Sequence, residues 1–152
     1  MKTKITAYDD ITLITLPDIP ADNEFIYDIF EKIAERNIDM DMISLSPVQS
    51  EKTSLSFTIN DEDLVNILSF TSKLEQGSVR PVVSSGNCKI SIDDEGMEHC
   101  PGVAAKVFRT VAASRAELRL ITTSEAQISL LVTKSDFDKL YADLTAQFID
   151  IS

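Results

Sequence analysis

Residues 96–108 read Gly-Met-Glu-His-Cys-Pro-Gly-Val-Ala-Ala-Lys-Val-Phe, and residues 121–125 read Ile-Thr-Thr-Ser-Glu. The Pro101-Gly102 pair follows an alternating run at 89–92 and precedes a helical run, which predicts a strand-to-helix turn. The first N–H groups of a helix have no intrahelical acceptor and lie at the positive end of the helix dipole. We therefore expect the turn to suit an anion such as a free carboxylate.

The apolar residues indicate an internal repeat. One helical stripe of five apolar residues recurs 78 positions further along the chain. Its members are Ile26, Ile29, Phe30, Ile33 and Ala34 in the first copy and Ala104, Val107, Phe108, Val111 and Ala112 in the second. Ile43 and Ser46 map onto Ile121 and Ser124 by the same offset, so both halves of the chain are predicted to share one fold.

Strand and turn signals fill in the rest of each half. In the first half, two short strands at 5–8 and 11–16 are separated by Asp9-Asp10, and a turn region follows at 17–23. The remaining predicted elements are strands at 40–46, 54–59 and 79–83, strands at 118–124 and 127–132, a helix capped by Asn60 or Asp61, and a helix with a Ser135/Asp138 capping box. The resulting βαββα order, found twice, predicts an α+β fold of two tandem ferredoxin-like units, with antiparallel sheets and helices on one face.

The segment GMEHCPGVAAKVF followed by ITTSEAQISLLV resembles the second regulatory ACT domain of aspartokinases, where a GM-x-x-x-PGVAA loop and an I-S/T-TSE-x-x-IS strand recur. The resemblance extends over nearly the whole chain. It implies that the strand at 3–8 crosses over to complete the sheet of residues 87–152. The implied domains are 9–83 for the first ACT domain and 1–8 plus 84–152 for the second, with a hinge-like turn at 84–87.

The resemblance also implies effector-binding residues in the second half. They fall at the loop and helix start, at the beginning of the next strand and at its TSE end: His99, Cys100, Gly102, Val103, Ala104, Glu117, Leu118, Ser124 and Glu125.

The first half departs from the family pattern at the equivalent positions. The family's P-D-K-P-G appears as residues 17–21 with Ala21 in place of glycine, and Leu45 stands where the family has an effector-facing Gln. Alanine narrows the backbone choices of the turn, and leucine neither donates nor accepts a hydrogen bond. The candidate effector residues of the first half are Asp18, Ala21 and Asp41. The two aspartates are either partners for a ligand ammonium or solvated residues, as charged side chains usually are.

Composition excludes several functions. The chain has 152 residues with 25 acidic against 14 basic ones, a formal charge of −11, which disfavours nucleic acid and anionic membranes as partners. No apolar run approaches the roughly 18 residues of a membrane span, so we expect a cytoplasmic protein. Cys88, His99 and Cys100 lack the paired spacing of metal ligands, so neither a metal nor another cofactor is expected.

The resemblance implies an allosteric regulatory module that binds a small amino acid, lysine or threonine, and forms a homodimer through its ACT domains. Two alternatives stay open: the regulatory or C-terminal portion of an aspartate kinase, with a kinase catalytic domain or subunit as partner, and a degenerate tandem that only dimerises. The sequence contains no nucleotide-binding glycine loop and no Ser/His/Asp set. Catalysis by this chain alone is therefore not expected, and whether it is free-standing stays undecided.

Overall fold

The computed structural model describes residues 3–148, without the side chain of His99. The strands and helices within this range are β1 (Thr3–Pro20), α1 (Asn23–Glu35), β2 (Ile43–Leu45), β3 (Lys52–Asn60), α2 (Leu64–Thr71), β4 (Val82–Asp94), α3 (Gly102–Ser114), β5 (Leu118–Thr123), β6 (Gln127–Thr133) and α4 (Lys134–Phe148). Short 3-10 turns cover Asp61–Asp63, Leu74–Gly77 and Glu95–His99. The chain divides into two compact units, a first unit of residues 10–85 and a second unit of residues 1–9 and 86–152.

The first unit is built on the antiparallel pairing of β1 with β3. The register runs from Ile11 opposite Asn60 to Leu16 opposite Leu55, and β2 pairs antiparallel with the other side of β3. One face of these strands packs against α1 and α2. The largest fully buried side chains of this core are Phe57, Ile14, Leu16, Ile19, Ile29, Ile33, Leu55 and Ile67.

The second unit repeats this arrangement. Its strands lie in the order β1, β4, β6, β5, and β6 pairs antiparallel with both β4 and β5. Ile90, Ile92 and Leu130 of the sheet pack with Val107 of α3 and Leu140 of α4. Each unit therefore combines an antiparallel sheet with helices, which confirms the predicted α+β fold class.

The first strand differs from the prediction because β1 is one strand and not two. It continues through Asp9-Asp10 and through most of the expected turn region at 17–23. Asp10 and Asp18 adopt positive φ values of 57° and 51°, and the register with β3 shifts between Leu16 and Ile19. Aspartate tolerates the left-handed region better than most residues, so the irregularities are absorbed without ending the strand.

Three other predictions, one of a turn and two of strands, need correction. Residues 84–87, expected as a hinge-like turn, lie inside β4, where Gly86 takes a φ of 70° that glycine adopts without steric cost. The predicted closing strand at 79–83 begins only at Val82, and the strand predicted at 40–46 is limited to Ile43–Leu45.

Two of the predicted helix caps, Asn60 and Ser135, are wrong. Neither Asn60 nor Asp63 accepts a capping hydrogen bond, and the Asp61 carboxylate instead accepts one from Thr12 Oγ1 at 2.5 Å. Helix α4 begins at Lys134, so Ser135 lies inside its first turn rather than before it. Tertiary partners thus determine where these polar side chains bond.

Helix α3 buries a different stripe from the predicted one. Phe108 is 43% exposed, and Val107 and Val111 share the buried face with Thr110 and Ser114. The two hydroxyls donate to carbonyl oxygens of the same helix, at Lys106 and Val111, so both side chains are buried with their hydrogen bonds made. Among residues 3–148, no helix is long and apolar enough to cross a membrane.

Candidate functional site

The turn predicted to bind the effector, residues 95–102 and called the effector turn below, follows the end of β4. Asp94 closes the strand, and its Oδ1 accepts a hydrogen bond from the Gly96 N–H at 2.9 Å, which starts the 3-10 turn at 95–99. Met97 packs against the core of the second unit, and the Cys100 N–H donates to the Met97 carbonyl. Helix α3 then begins at Gly102, so the turn has a fixed position at the end of the sheet.

The N-terminus of α3 lacks a side-chain cap. Its capping residue is Pro101, which makes no capping hydrogen bond, and the Val103 N–H is taken by the Cys100 carbonyl at 3.1 Å. Gly102 and Ala104 are exposed. A helix start without a capping carboxylate keeps the positive end of the helix dipole available to an outside anion.

The Ser124-Glu125 turn lies at the same end of the sheet. Asp93 pairs with Gln127, Thr123 pairs with Ile128, and the Asp94 N–H donates to the Ala126 carbonyl at 2.9 Å. Antiparallel pairing therefore brings the end of β4, the start of β6 and the end of β5 together. The turn before α3 and the turn at 124–126 are neighbours, as the candidate site requires.

Glu117 and Leu118 lie at the opposite end of the same strand. Strand β5 has 6 residues, and at a rise of about 3.3 Å from one residue to the next its ends are roughly 17 Å apart. The Glu117 N–H donates to Asp136 Oδ2 at 2.9 Å, and its carboxylate pairs with Arg119 at 2.6 Å. Within the second unit, these two residues are not part of the cluster around Gly102.

The first unit separates its candidate residues in the same way. Asp18 and Ala21 stand at the end of β1, whereas the Asp41 N–H bonds to the carbonyl of Thr58, whose partner on β1 is Leu13. The start of α1 is already capped, because Asp22 Oδ1 accepts from the Glu24 N–H at 3.1 Å. In the first unit, the start of α1 is therefore already occupied by the carboxylate of Asp22.

Comparison with known proteins places the chain in a family. Residues 90–148 match the family model of the ACT domain. The aspartokinase of Geobacillus stearothermophilus is 36% identical over 124 residues, covering 82% of this chain and 30% of the relative. A crystal structure of aspartokinase alpha and beta subunits is 28% identical with a TM-score of 0.82, covering 95% of this chain and 97% of that chain.

The regulatory subunit of aspartate kinase from Thermus flavus has the same fold. Its crystal structure matches with a TM-score of 0.84 at 24% identity, covering 95% of this chain and 96% of that chain. The chain is an ACT region related to the aspartokinases. These matches confirm the predicted resemblance to aspartokinases. The ACT region spans about a third of the length of the curated relatives it matches.

The ACT region also contains a groove that the sequence did not predict. It lies between α3 and α4, has a volume of about 410 Å³, and is lined by Arg109, Thr110, Ala113, Lys139, Asp143, Ala146 and Gln147. None of these residues belongs to the candidate effector set. Their sequence pattern is that of ordinary solvent-facing helix positions, so no signal marks the groove before the helices are packed.

Two carboxylates beside the effector turn were also missed. Asp93 Oδ1 accepts from Gln127 Nε2 at 2.8 Å, and Asp94 binds both Gly96 and Thr3. An aspartate that ends a strand two residues before a glycine is a turn signal and could have been read as such. In the described part of the chain, no cluster of three or more His, Cys, Asp or Glu residues could hold a metal ion.

Proposed function

We propose that the ACT region is an amino-acid-binding allosteric module that senses lysine or threonine at the turn before α3 of the second unit. The observation that carries the proposal is the uncapped start of α3 next to the turn at 124–126. The carboxylate of an amino acid would bind the N–H groups at this helix start, and Ser124 would accept or donate a hydrogen bond nearby.

Local charge favours lysine over threonine. Glu95, Glu98 and Glu125 are all exposed at this end of the second unit, so a side-chain ammonium would find carboxylates within the same region. Net charge over the chain is a weaker argument, since residues 10–85 hold 14 acidic and 5 basic residues and the remainder holds 11 and 9. Threonine would instead use the Ser124 hydroxyl and fit a tighter site.

The proposed partner is an aspartate kinase catalytic domain, in the same chain or in a separate subunit. A similar solved structure contains aspartokinase alpha and beta subunits, and the ACT region covers 97% of the matched chain. Effector binding would then change the affinity or activity of the catalytic partner by stabilising one of two conformations. Residues His99 and Cys100 would line the site without taking part in chemistry.

A second candidate function is a tandem that serves only to dimerise. Leu45 is 52% exposed on the edge strand β2, and Ile43 on the same strand is 45% exposed. The Asp22 cap removes the helix start of the first unit as an anion site. These observations favour assembly over effector binding for the first unit.

A thermal-shift screen of the twenty amino acids tests the proposal. A ligand that binds only the folded protein stabilises it by RT ln(1 + [L]/Kd), so lysine or threonine at 100 times its Kd would add about 2.7 kcal/mol. We expect lysine, threonine or both to raise the Tm and the other amino acids to have little effect. A flat response to all twenty would leave dimerisation as the better account.

A further inference from the structure

We infer that Asp94 is a positioning residue that ties the first residues of β1 to the effector turn, so that ligand binding and the seating of this strand stabilise each other. The inference rests on the proposed function for its ligand. Its structural half, the tie between Thr3 and the turn, can be tested without any ligand.

Asp94 is a buried carboxylate, 9% exposed, whose two oxygens have different partners. Oδ2 accepts from the Thr3 hydroxyl at 2.8 Å, and Oδ1 accepts from the Gly96 N–H at 2.9 Å. The backbone N–H of Asp94 donates to the Ala126 carbonyl. One residue therefore joins the start of β1, the effector turn and the turn at 124–126.

This bonding pattern makes the position of Gly96 depend on Thr3. If Thr3 leaves, Asp94 Oδ2 loses its neutral donor in a largely buried setting, where an unmet acceptor is costly. The carboxylate would turn toward water, and the Oδ1 bond that holds Gly96 would weaken with it. The first part of β1 is also held beside β4 in the sheet, by the packing of Ile5 and by the contact of Lys89 with the Tyr8 ring. The Thr3 hydroxyl is the side-chain contact that joins this strand to Asp94.

The coupling between ligand binding and the position of the first residues of β1 must act in both directions. A ligand that orders the turn must favour the seated strand by the same factor as the seated strand favours the ligand. The N-terminal residues 3–9 are thus a place where effector occupancy can be transmitted away from the site.

Hydrogen exchange on four proteins tests the tie: the wild type, Thr3→Val, Thr3→Ser and Thr6→Val. Thr3→Val removes the hydroxyl at nearly constant shape, and Thr3→Ser returns it. Thr6→Val is the matched control, because three positions along a strand place its side chain on the opposite face. We expect Thr3→Val to speed exchange at Gly96 and Met97 by about fivefold, as one lost hydrogen bond implies, with wild-type rates in the two other variants.

The reference for these rates is the first unit, residues 10–85, whose protection should not change in any variant. Unchanged exchange at Gly96 and Met97 in Thr3→Val, or an equal rise in Thr6→Val, would overturn the tie. A loss that Thr3→Ser fails to rescue would do the same, since it would not come from the hydroxyl.

A second arm adds saturating lysine or threonine, whichever raises the Tm of the wild type. The ligand should slow exchange in residues 3–9 of the wild type and lose about fivefold in affinity in Thr3→Val. Binding without added protection in residues 3–9 would overturn the coupling. If no amino acid binds the wild type, the proposed function fails, while the exchange rates of the unliganded variants still decide the tie.

Discussion

An aspartate cap distinguishes the start of α1 from the start of α3. Asp22 caps α1 through the Glu24 N–H, and Asp94 begins the 3-10 turn through the Gly96 N–H. Pro101 precedes α3 without a side-chain capping bond. Under the proposed function, a bound ligand carboxylate would supply at α3 what Asp22 supplies at α1, and the two related units would then differ as effector sites.

A residue-scale prediction concerns Tyr27, whose phenol donates to Glu31 Oε2 at 2.6 Å on the exposed face of α1. This hydrogen bond and the charge of Glu31 raise the pKa of Tyr27 above its ordinary value of 10.0. The bond stabilises the fold below the ordinary pKa, and this contribution is lost as the pH rises through the raised value. Glu31→Gln should lower the pKa of Tyr27.

Alkaline titration of tyrosinate absorbance measures this shift. Glu35→Gln, which removes a weaker contributor on the same helix, is the control and should move the titration less. Superimposable curves for the wild type and Glu31→Gln would show that the Tyr27 bond is not formed in solution.

At the scale of elements, the spacing of apolar residues along the chain predicted the helices and strands that form from local sequence. The apolar stripe from Ile26 to Ala34 predicted a helix that the structure confirms as α1, with Ile29 and Ile33 buried, and the alternating run at 89–92 falls within β4. Tertiary partners decided the rest. Strand β1 continues past Asp10 because its pairing with β3 begins at Ile11, and the buried face of α3 includes Thr110 because its hydroxyl bonds within the helix.

The same reasoning applies to the candidate site. The turn before α3 and the turn at 124–126 could be predicted, because each has its own sequence signal. That Glu117 lies at the far end of β5 from Ser124 follows from the predicted strand at 118–124. That Thr3 reaches Asp94 depends on strand pairing over a long sequence separation. Single-sequence patterns carry no information on such pairings.

An element-scale prediction concerns the first part of β1. Deleting residues 1–8 removes Ile5 from the core of the second unit and the Thr3 bond to Asp94. We expect amide protection to fall more in residues 87–148 than in residues 11–83, because the lost contacts belong to the second unit. Hydrogen exchange measures this, and equal loss in both units or loss confined to the first would contradict it.

At the scale of the whole molecule, three of the exposed apolar residues lie on or just after one edge strand. Ile43, Leu45 and Val48 are 45%, 52% and 61% exposed on and just after β2, which is an edge strand. Unprotected edges are usually covered in soluble proteins, and C2 dimers are the commonest assembly. We therefore predict a homodimer that uses β2.

Light scattering at micromolar concentration should give a dimer mass for the wild type and a monomer mass for Leu45→Lys. Val65→Lys is the matched control, since Val65 is 81% exposed on α2 and lies outside β2. A monomeric wild type, with or without amino acids, would contradict the prediction, and a monomeric Val65→Lys would argue against β2 as the contact.

The central claim is that an amino acid binds at the start of α3, and calorimetry of Gly102→Val tests it most directly. A Cβ added at Gly102 meets no heavy atom within 4 Å, so the variant should fold, while its side chain would stand where the ligand carboxylate approaches the backbone. Ala112→Val places the same side chain on an exposed position of α3 and is the control. We predict that lysine or threonine binds the wild type and Ala112→Val below millimolar concentration and binds Gly102→Val at least about tenfold more weakly, or roughly 1.4 kcal/mol. Absence of binding of either amino acid to the wild type, or equal affinity in Gly102→Val, would contradict the account.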